Sequence, residues 1–306
     1  MIIMNLKTLT SRSRNEMNLK DFSQAYAEDF EEALLAEFPD QEATSIHPSI
    51  RYSLTNGGKR LRPFFILATV QAFGQDPKRA FSLAKAIEYI HCYSLIHDDL
   101  PAMDDDDYRR GKPSNHKAFD EATAILAGDA LQAKAFEVVS RDSGLAAESR
   151  VFLIKKLAQA AGDRGMVAGQ MKDIAYEGQS VSLSQLQSLY DEKTGALIRF
   201  SLQAPLELLE VNDQVKEEMA NFAQSYALAF QIQNDLQEVL WTDEARGKHS
   251  HSDQNLEKNT YPALLGLDAA KEALAAEVKR CEDSLSRLEG VMDTQLIRDF
   301  LDYLKL

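Results

Sequence analysis

Apolar residues recur at three- and four-residue steps through most of the chain. Between positions 21 and 38 they are Phe22, Tyr26, Phe30, Ala33, Leu34 and Phe38, the stripe of an amphipathic helix that Pro39 ends. A second apolar helix follows Pro63 and runs to Phe73. Positions 80–96 read differently. Phe81, Leu83, Ala84, Ala86, Ile87, Ile90, Leu95 and Ile96 leave no polar face, so this helix is expected to be buried on all sides. Further helices are predicted at 118–140, at 146–161, from a Ser182 N-cap through Lys193, Thr194 and Gly195 to 209, and at 213–241. Thr260, Tyr261 and Pro262 open another, and two more close the chain. No alternating strand pattern and no linker stands out. The expectation is one all-α domain over 17–306, a bundle of long helices, preceded by a polar extension at 1–16.

Composition narrows the function. The 306 residues are 44% hydrophobic with only 14 Gly and 8 Pro, enough apolar material for a large helical core. A net charge of −14 argues against nucleic acid or an anionic membrane as partner, so any polyanion site has to be made basic locally. No apolar run reaches membrane-spanning length, and the first twenty residues lack the apolar stretch of a signal peptide. Cys92 and Cys281 give neither a disulfide framework nor a metal-ligand spacing; a cytoplasmic location and an inert Cys92 in the core are expected.

The chemistry is concentrated where the buried helix ends. Asp98, Asp99, Asp104, Asp105, Asp106 and Asp107 fall within ten residues, Pro101 interrupts the helix, and Arg109 and Arg110 follow. Carboxylates at the end of a buried helix need cations, and two arginines cannot satisfy six of them. Mg²⁺ binds through one or two carboxylates and shares its remaining shell with phosphate oxygens. Upstream, Gly57-Gly58-Lys59-Arg60-Leu61-Arg62-Pro63 leads into a helix N-terminus, which suits an anion, with Lys59 and Arg62 expected on one face of the first turn. No P-loop motif is present. Downstream, Asn234 and Glu238 lie one turn apart on a helix, with Asp235 beside them. Gly165 and Gly169 permit close helix packing, and Lys193 by itself reads as a snorkelling lysine.

These motifs together resemble the trans-isoprenyl diphosphate synthases, most closely the bacterial farnesyl diphosphate synthases. The resemblance runs from about Tyr52 to the C-terminus. It is carried by GGKRLRP (57–63), HDDLPAMDDDDYRRGKPSNH (97–116), AGDAL (127–131), GQMKD (169–173), KTGALI (193–198), AFQIQ (229–233) and KNTYPALLGL (258–267). It implies helices around a deep central cavity, usually in a homodimer, and a Mg²⁺-dependent condensation of isopentenyl diphosphate with an allylic diphosphate. By the same resemblance Asp98, Asp99 and Asp104 hold Mg²⁺ against the allylic diphosphate, and Arg109, Lys193 and Lys258 contact that group. Lys59, Arg62, His91 and Arg110 cradle isopentenyl diphosphate, Lys248 closes over the site, and Thr194 and Gln231 complete the substrate contacts. Tyr93 and Ser94, on the helix below Asp98, set product length, with Tyr93 as a floor at fifteen carbons.

One motif departs from the family. The second metal motif, DDxxD, reads Asn234-Asp235-Leu236-Gln237-Glu238. An amide is a weaker Mg²⁺ ligand than a carboxylate, so the third of three expected ions is weakened, with Asn234, Asp235 and Glu238 as its candidate ligands. That departure keeps a weakly active or regulatory subunit of the same fold as an alternative. A class I terpene cyclase fits less well, because Glu238 and Thr242 stand where such an enzyme wants Ser or Thr and then Glu.

Overall fold

The computed structural model describes residues 17–39, 46–209, 211–241 and 259–306. Its helices are α1 (Leu19–Leu35), α2 (His47–Leu54), α3 (Leu61–Ala72), α4 (Phe81–Asp98), α5 (Asn115–Ala118), α6 (Glu121–Ser140), α7 (Ala147–Ala161), α8 (Met166–Ala175), α9 (Leu183–Tyr190), α10 (Ala196–Gln203), α11 (Asp213–Leu240), α12 (Tyr261–Leu265), α13 (Leu267–Leu288) and α14 (Gln295–Asp299). The all-α expectation holds. The buried helix is α4, which packs against α1, α2, α3, α6 and α10. Leu83, Ala84, Ala86, Ile87, Tyr89 and Ile90 are fully enclosed. With apolar residues all round, α4 cannot lie on a surface, and the other helices build the bundle about it. The α11–α13 pair closes one side, with Phe222, Tyr226, Leu274, Cys281 and Leu285 buried in its core.

Three features differ from the pattern-based reading. Helix α2 was not expected; eight residues beginning with a proline turn are too short for a periodic signal. A two-residue hairpin, β1 (Tyr108–Arg109) against β2 (Lys112–Pro113), follows the acidic stretch. Its turn residues Arg110 and Gly111 both have positive φ, the geometry of a tight hairpin turn. The long helix expected from 182 to 209 is broken. A capping box on Ser182 starts α9 as expected, but Asp191–Gly195 forms a π-turn, and Ala204–Leu208 tightens to a 3₁₀ turn around Pro205. A π-turn inserts one residue into the helical register and so rotates Lys193 and Thr194 relative to the rest of the helix.

Helix α8 seats directly against this π-turn. A Cβ built on Gly169 would lie 2.1 Å from the Lys193 backbone nitrogen, so only glycine permits the approach. The packing role read for Gly169 is therefore observed. Two ion pairs run across the contact, Lys172–Glu192 and Asp173–Lys193, each at 2.5 Å.

Two outcomes follow from this packing. Gly169→Ala forces α8 off the π-turn, and its denaturant midpoint should fall by the equivalent of about 1–3 kcal/mol, typical of an overpacked contact. An unchanged midpoint would show that α8 yields freely. Helix α1 is anchored at its start: the Asn18 side chain accepts from the Asp21 N–H, and the Leu19 N–H donates to Asp299 Oδ2 at 2.9 Å. The polar extension at 1–16 lies outside the described residues; its lack of apolar surface predicts that a chain started at Met17 melts at the same temperature as the full chain. A loss of several degrees would show that residues 1–16 pack on the bundle.

Candidate active site

The acidic turn is organised by backbone geometry. Helix α4 ends at Asp98, and the chain reverses so that the Asp104 N–H donates to the Asp98 carbonyl at 2.9 Å. The Met103 and Asp105 N–H groups both return to the Leu100 carbonyl. Two carboxylates six residues apart are thereby brought to one place. Burial raises the Asp98 pKa to about 6, and the negative charges of Asp104 and Asp99 add to the shift while Lys193 opposes it. A half-buried carboxylate strained by its neighbours, with hard oxygen donors beside it, suits a divalent cation such as Mg²⁺.

Asp99 is enclosed by the protein. It is 2% exposed, and Arg109 Nε donates to both its oxygens, at 2.6 and 2.8 Å, while Arg109 Nη2 lies 2.5 Å from Oδ1. One residue on from Asp98 along the helix, its side chain points about 100° away and into the protein. There it binds the Arg109 guanidinium, which also has Asp106 at 3.7 Å. Asp105, Asp107 and His116 bring ligand atoms within 4.8 Å of one another, but Asp107 already pairs with Lys117 at 2.7 Å.

Two compartments flank the end of α4. The first is a cavity of about 460 Å³ that Asp98 and Lys193 border. It is lined by Tyr93, Ser94 and His97 of α4, by Met103, by Met166, Val167, Met171 and Ile174 of α8, and by Thr194 and Leu197. Tyr93 is 5% exposed and meets the His97 ring edge-on at 5.7 Å. His97 Nε2 is 3.1 Å from the Ile125 carbonyl, and a Cβ on Gly128 would collide with its ring. The glycine of AGDAL is thus a seat for His97. Lys193 Nζ is held by Asp173 Oδ2 at 2.5 Å, so this lysine is fixed by α8 rather than snorkelling to solvent.

The second compartment is a narrow cleft of about 20 Å³, lined by Arg60, Arg109 and Arg110 together with the carboxylates of Glu88 and Asp99 and with Tyr52 and Asn56. His91 and Leu95 border both compartments. Arg62 Nη1 lies 3.5 Å from His91 Nε2. Burial lowers the Arg62 pKa to about 10, with Glu88 opposing the shift and Arg110 adding to it. Burial, and then Arg62, Arg110, Arg109 and Arg60, push the His91 pKa well below the usual imidazole range, so the ring is neutral at physiological pH. Lys59 and Arg62 do not share a face. Helix α3 begins only at Leu61, Arg60 adopts a left-handed conformation as its N-cap, and Lys59 is exposed over the Tyr303 ring at 5.3 Å. Arg110 Nη1 donates to the Gly57 carbonyl.

The second motif splits on α11. Asn234 is exposed and donates to Gln231 Oε1 at 3.3 Å, and Glu238 is half-buried. Asp235 faces inward, and its Oδ2 accepts from the Tyr190 hydroxyl at 2.6 Å and the Tyr261 N–H at 2.9 Å. The carboxylate thereby clasps α11 to α9 and to the start of α12. Lys248 and Lys258 lie outside the described residues. Cys92 is buried, and burial pushes its thiol up to about 12, consistent with an inert core residue. The sequence reading missed Asp173, Tyr190 and Glu88. Asp173 sits in the GQMKD motif and was open to notice; the other two carry no local signal.

Residues 43–294 match the polyprenyl synthetase family model. The chain is 46% identical to the farnesyl diphosphate synthase of Geobacillus stearothermophilus over 239 residues, covering 78% of this chain and 80% of that protein. Its fold superposes on an FPP/GFPP synthase from Zymomonas mobilis in the apo form, with a TM-score of 0.79, 38% identity, and coverage of 94% and 95% of the two chains. It also superposes on a geranyltransferase from Helicobacter pylori complexed with magnesium and isoprenyl diphosphate, with a TM-score of 0.81, 32% identity, and coverage of 94% and 96%. A carboxylate turn at the mouth of an apolar cavity, a cationic pocket beside it and these similarities lead to one conclusion: the chain belongs to the polyprenyl synthetase family.

Proposed function

We propose that this protein is a short-chain trans-prenyltransferase that condenses isopentenyl diphosphate with dimethylallyl and then geranyl diphosphate to give farnesyl diphosphate. The observation that carries the reading is the largely apolar cavity of about 460 Å³ bordered by Asp98, Lys193, Arg62 and His91. Its apolar lining suits a prenyl tail, and the carboxylate and cations on its border suit diphosphate groups. Arg60, Arg109 and Arg110 gather in the narrow cleft that shares His91 and Leu95 with it.

Mg²⁺ held by Asp98 and Asp104, with further ions toward α11, would neutralise charge on the departing diphosphate. Lys193, fixed by Asp173, adds a cation already oriented at the same mouth, so little reorganisation accompanies charge development there. The allylic C–O bond breaks with its electron pair staying on the diphosphate. The isopentenyl double bond attacks the resulting cation to form the new C–C bond, and a proton leaves to the diphosphate oxygen. Arg62, Arg110 and Lys59 anchor the isopentenyl diphosphate. Neutral His91 sits between the compartments, where it can hydrogen-bond without placing a fixed positive charge beside the carbocation. No protein nucleophile is required.

Incorporation of labelled isopentenyl diphosphate with each allylic partner and Mg²⁺ tests the assignment; absence of isopentenyl incorporation would overturn it. Tyr93 supplies the length limit. It lies five residues before Asp98, roughly 7–8 Å down α4 at the helical rise, and is buried against the cavity. Tyr93→Ala should yield products longer than fifteen carbons by chromatography. An unchanged product distribution would show that the floor lies elsewhere.

Asn234 supplies the metal test. With Asp235 turned inward, the outward side of the motif offers Asn234 and Glu238. Asn234→Asp restores a carboxylate there, and the Mg²⁺ concentration for half-maximal rate should fall while kcat rises. Each tenfold rise in kcat corresponds to about 1.4 kcal/mol of barrier. A half-point that stays put, or a slower enzyme, would show that the amide suits its surroundings.

A further inference from the structure

The cationic compartment contains a buried carboxylate that none of the motifs accounts for. Glu88 is 3% exposed on α4, one turn before His91 and Cys92. It forms an ion pair with Arg60 Nη1, while Nη2 of the same guanidinium donates to the carbonyl of Leu54, the last residue of α2. Arg60 therefore stitches the end of α2 to the middle of α4, across the Gly57-Gly58-Lys59 turn. Its backbone is left-handed at φ 48°, a conformation that non-glycine residues adopt only when their surroundings hold them. Gly57 and Gly58 also have positive φ. Arg110 rests on this turn: it donates to the Gly57 carbonyl, and a Cβ on Gly58 would lie 2.5 Å from its guanidinium carbon.

Resting on the function proposed above, we infer that Glu88 is a positioning residue for isopentenyl diphosphate. By clamping Arg60 it sets the turn on which Arg110 is seated and from which Lys59 and Arg62 project. Glu88 touches no substrate in this scheme. Its charge also faces Arg62 and Arg110, both of which repel one another electrostatically. Two effects of removing it therefore oppose. Loss of the clamp lets the cradle drift and weakens diphosphate binding. Loss of a negative charge raises the local positive potential and strengthens it. Arg60 makes its two contacts through one rigid fork, and three of the cradle cations hang on the segment it anchors, so the clamp is the larger effect.

Steady-state kinetics of Glu88→Gln decide between them. The KM for isopentenyl diphosphate should rise about tenfold or more, while kcat and the KM for geranyl diphosphate stay within about twofold. Glu88→Asp, which keeps the charge at shorter reach, should recover part of the loss. A half-buried Arg60 left without its partner threatens folding, so the double variant Glu88→Met with Arg60→Met, which removes both charges, should show the same selective KM rise. An unchanged or lowered KM for isopentenyl diphosphate in a variant that melts like the wild type would overturn the inference, as would an equal rise in both KM values. A wild-type protein that incorporates no isopentenyl unit would instead overturn the reaction assignment.

Discussion

The Asp99–Arg109 ion pair is the contact on which the rest of the site depends. A buried helix that ends in two adjacent aspartates has to dispose of the second one. The fork of Arg109 takes both its oxygens and keeps it inside. That fixes the hairpin start at Tyr108–Arg109 against the end of α4, and the nine intervening residues must close as a tight loop. The loop returns the Asp104 N–H to the Asp98 carbonyl and so creates the carboxylate pair. The same hairpin turn directs Arg110 to the glycine turn on the far side. Breaking such a buried pair by removing one partner typically costs about 3–5 kcal/mol, because the remaining charge is left uncompensated. Within the acidic run Asp99 thus has a structural partner inside the protein, while Asp98 borders the cavity.

The same division recurs on α11. Asp235 turns inward to Tyr190 and Tyr261, while Asn234 and Glu238 stay outside. In both motifs, adjacent residues on the helix point about 100° apart and so meet different surroundings. Asp99 and Asp235 each hold neighbouring elements together. For Asp235 those elements are α9, which leads into the π-turn bearing Lys193, and α12, which follows the segment bearing Lys258. Helix α11 and the turn bearing Lys193 are thus tied together through buried hydrogen bonds. This arrangement also explains how the departure at Asn234 leaves the fold intact: the residue that changed is the exposed one.

The placement of the cations follows a common logic. Lys193 is set by a π-turn, by Gly169 and by Asp173; Arg110 by Gly58; Arg60 by Glu88. In each case a small residue or a buried acid determines where a long basic side chain ends. That matters in a chain of net charge −14, where a polyanion site exists only because several cations converge locally and are kept from pairing with surface acids.

Much of the protein was legible without the structure. The unbroken apolar face of α4 identified the central helix, because no other position in a soluble bundle accommodates one. The acidic run after it, the glycine pair and the paired positions on α11 marked the chemistry, because those residue types are costly anywhere else. Sequence periodicity also located the boundaries of α6, α7 and α11 to within a few residues. Tertiary structure alone decided the surroundings of each carboxylate. Asp98 and Asp99 are identical in type and adjacent, and only the fold brings Arg109, ten residues on, to Asp99 while Asp98 borders the cavity. It alone revealed the break in the helix at Asp191–Gly195, since a π-turn leaves the composition and the apolar spacing of a helix nearly unchanged. It alone brought Glu88 to Arg60, 28 residues apart, because a buried ion pair between two elements has no local pattern: each partner is ordinary until the fold brings the other to it.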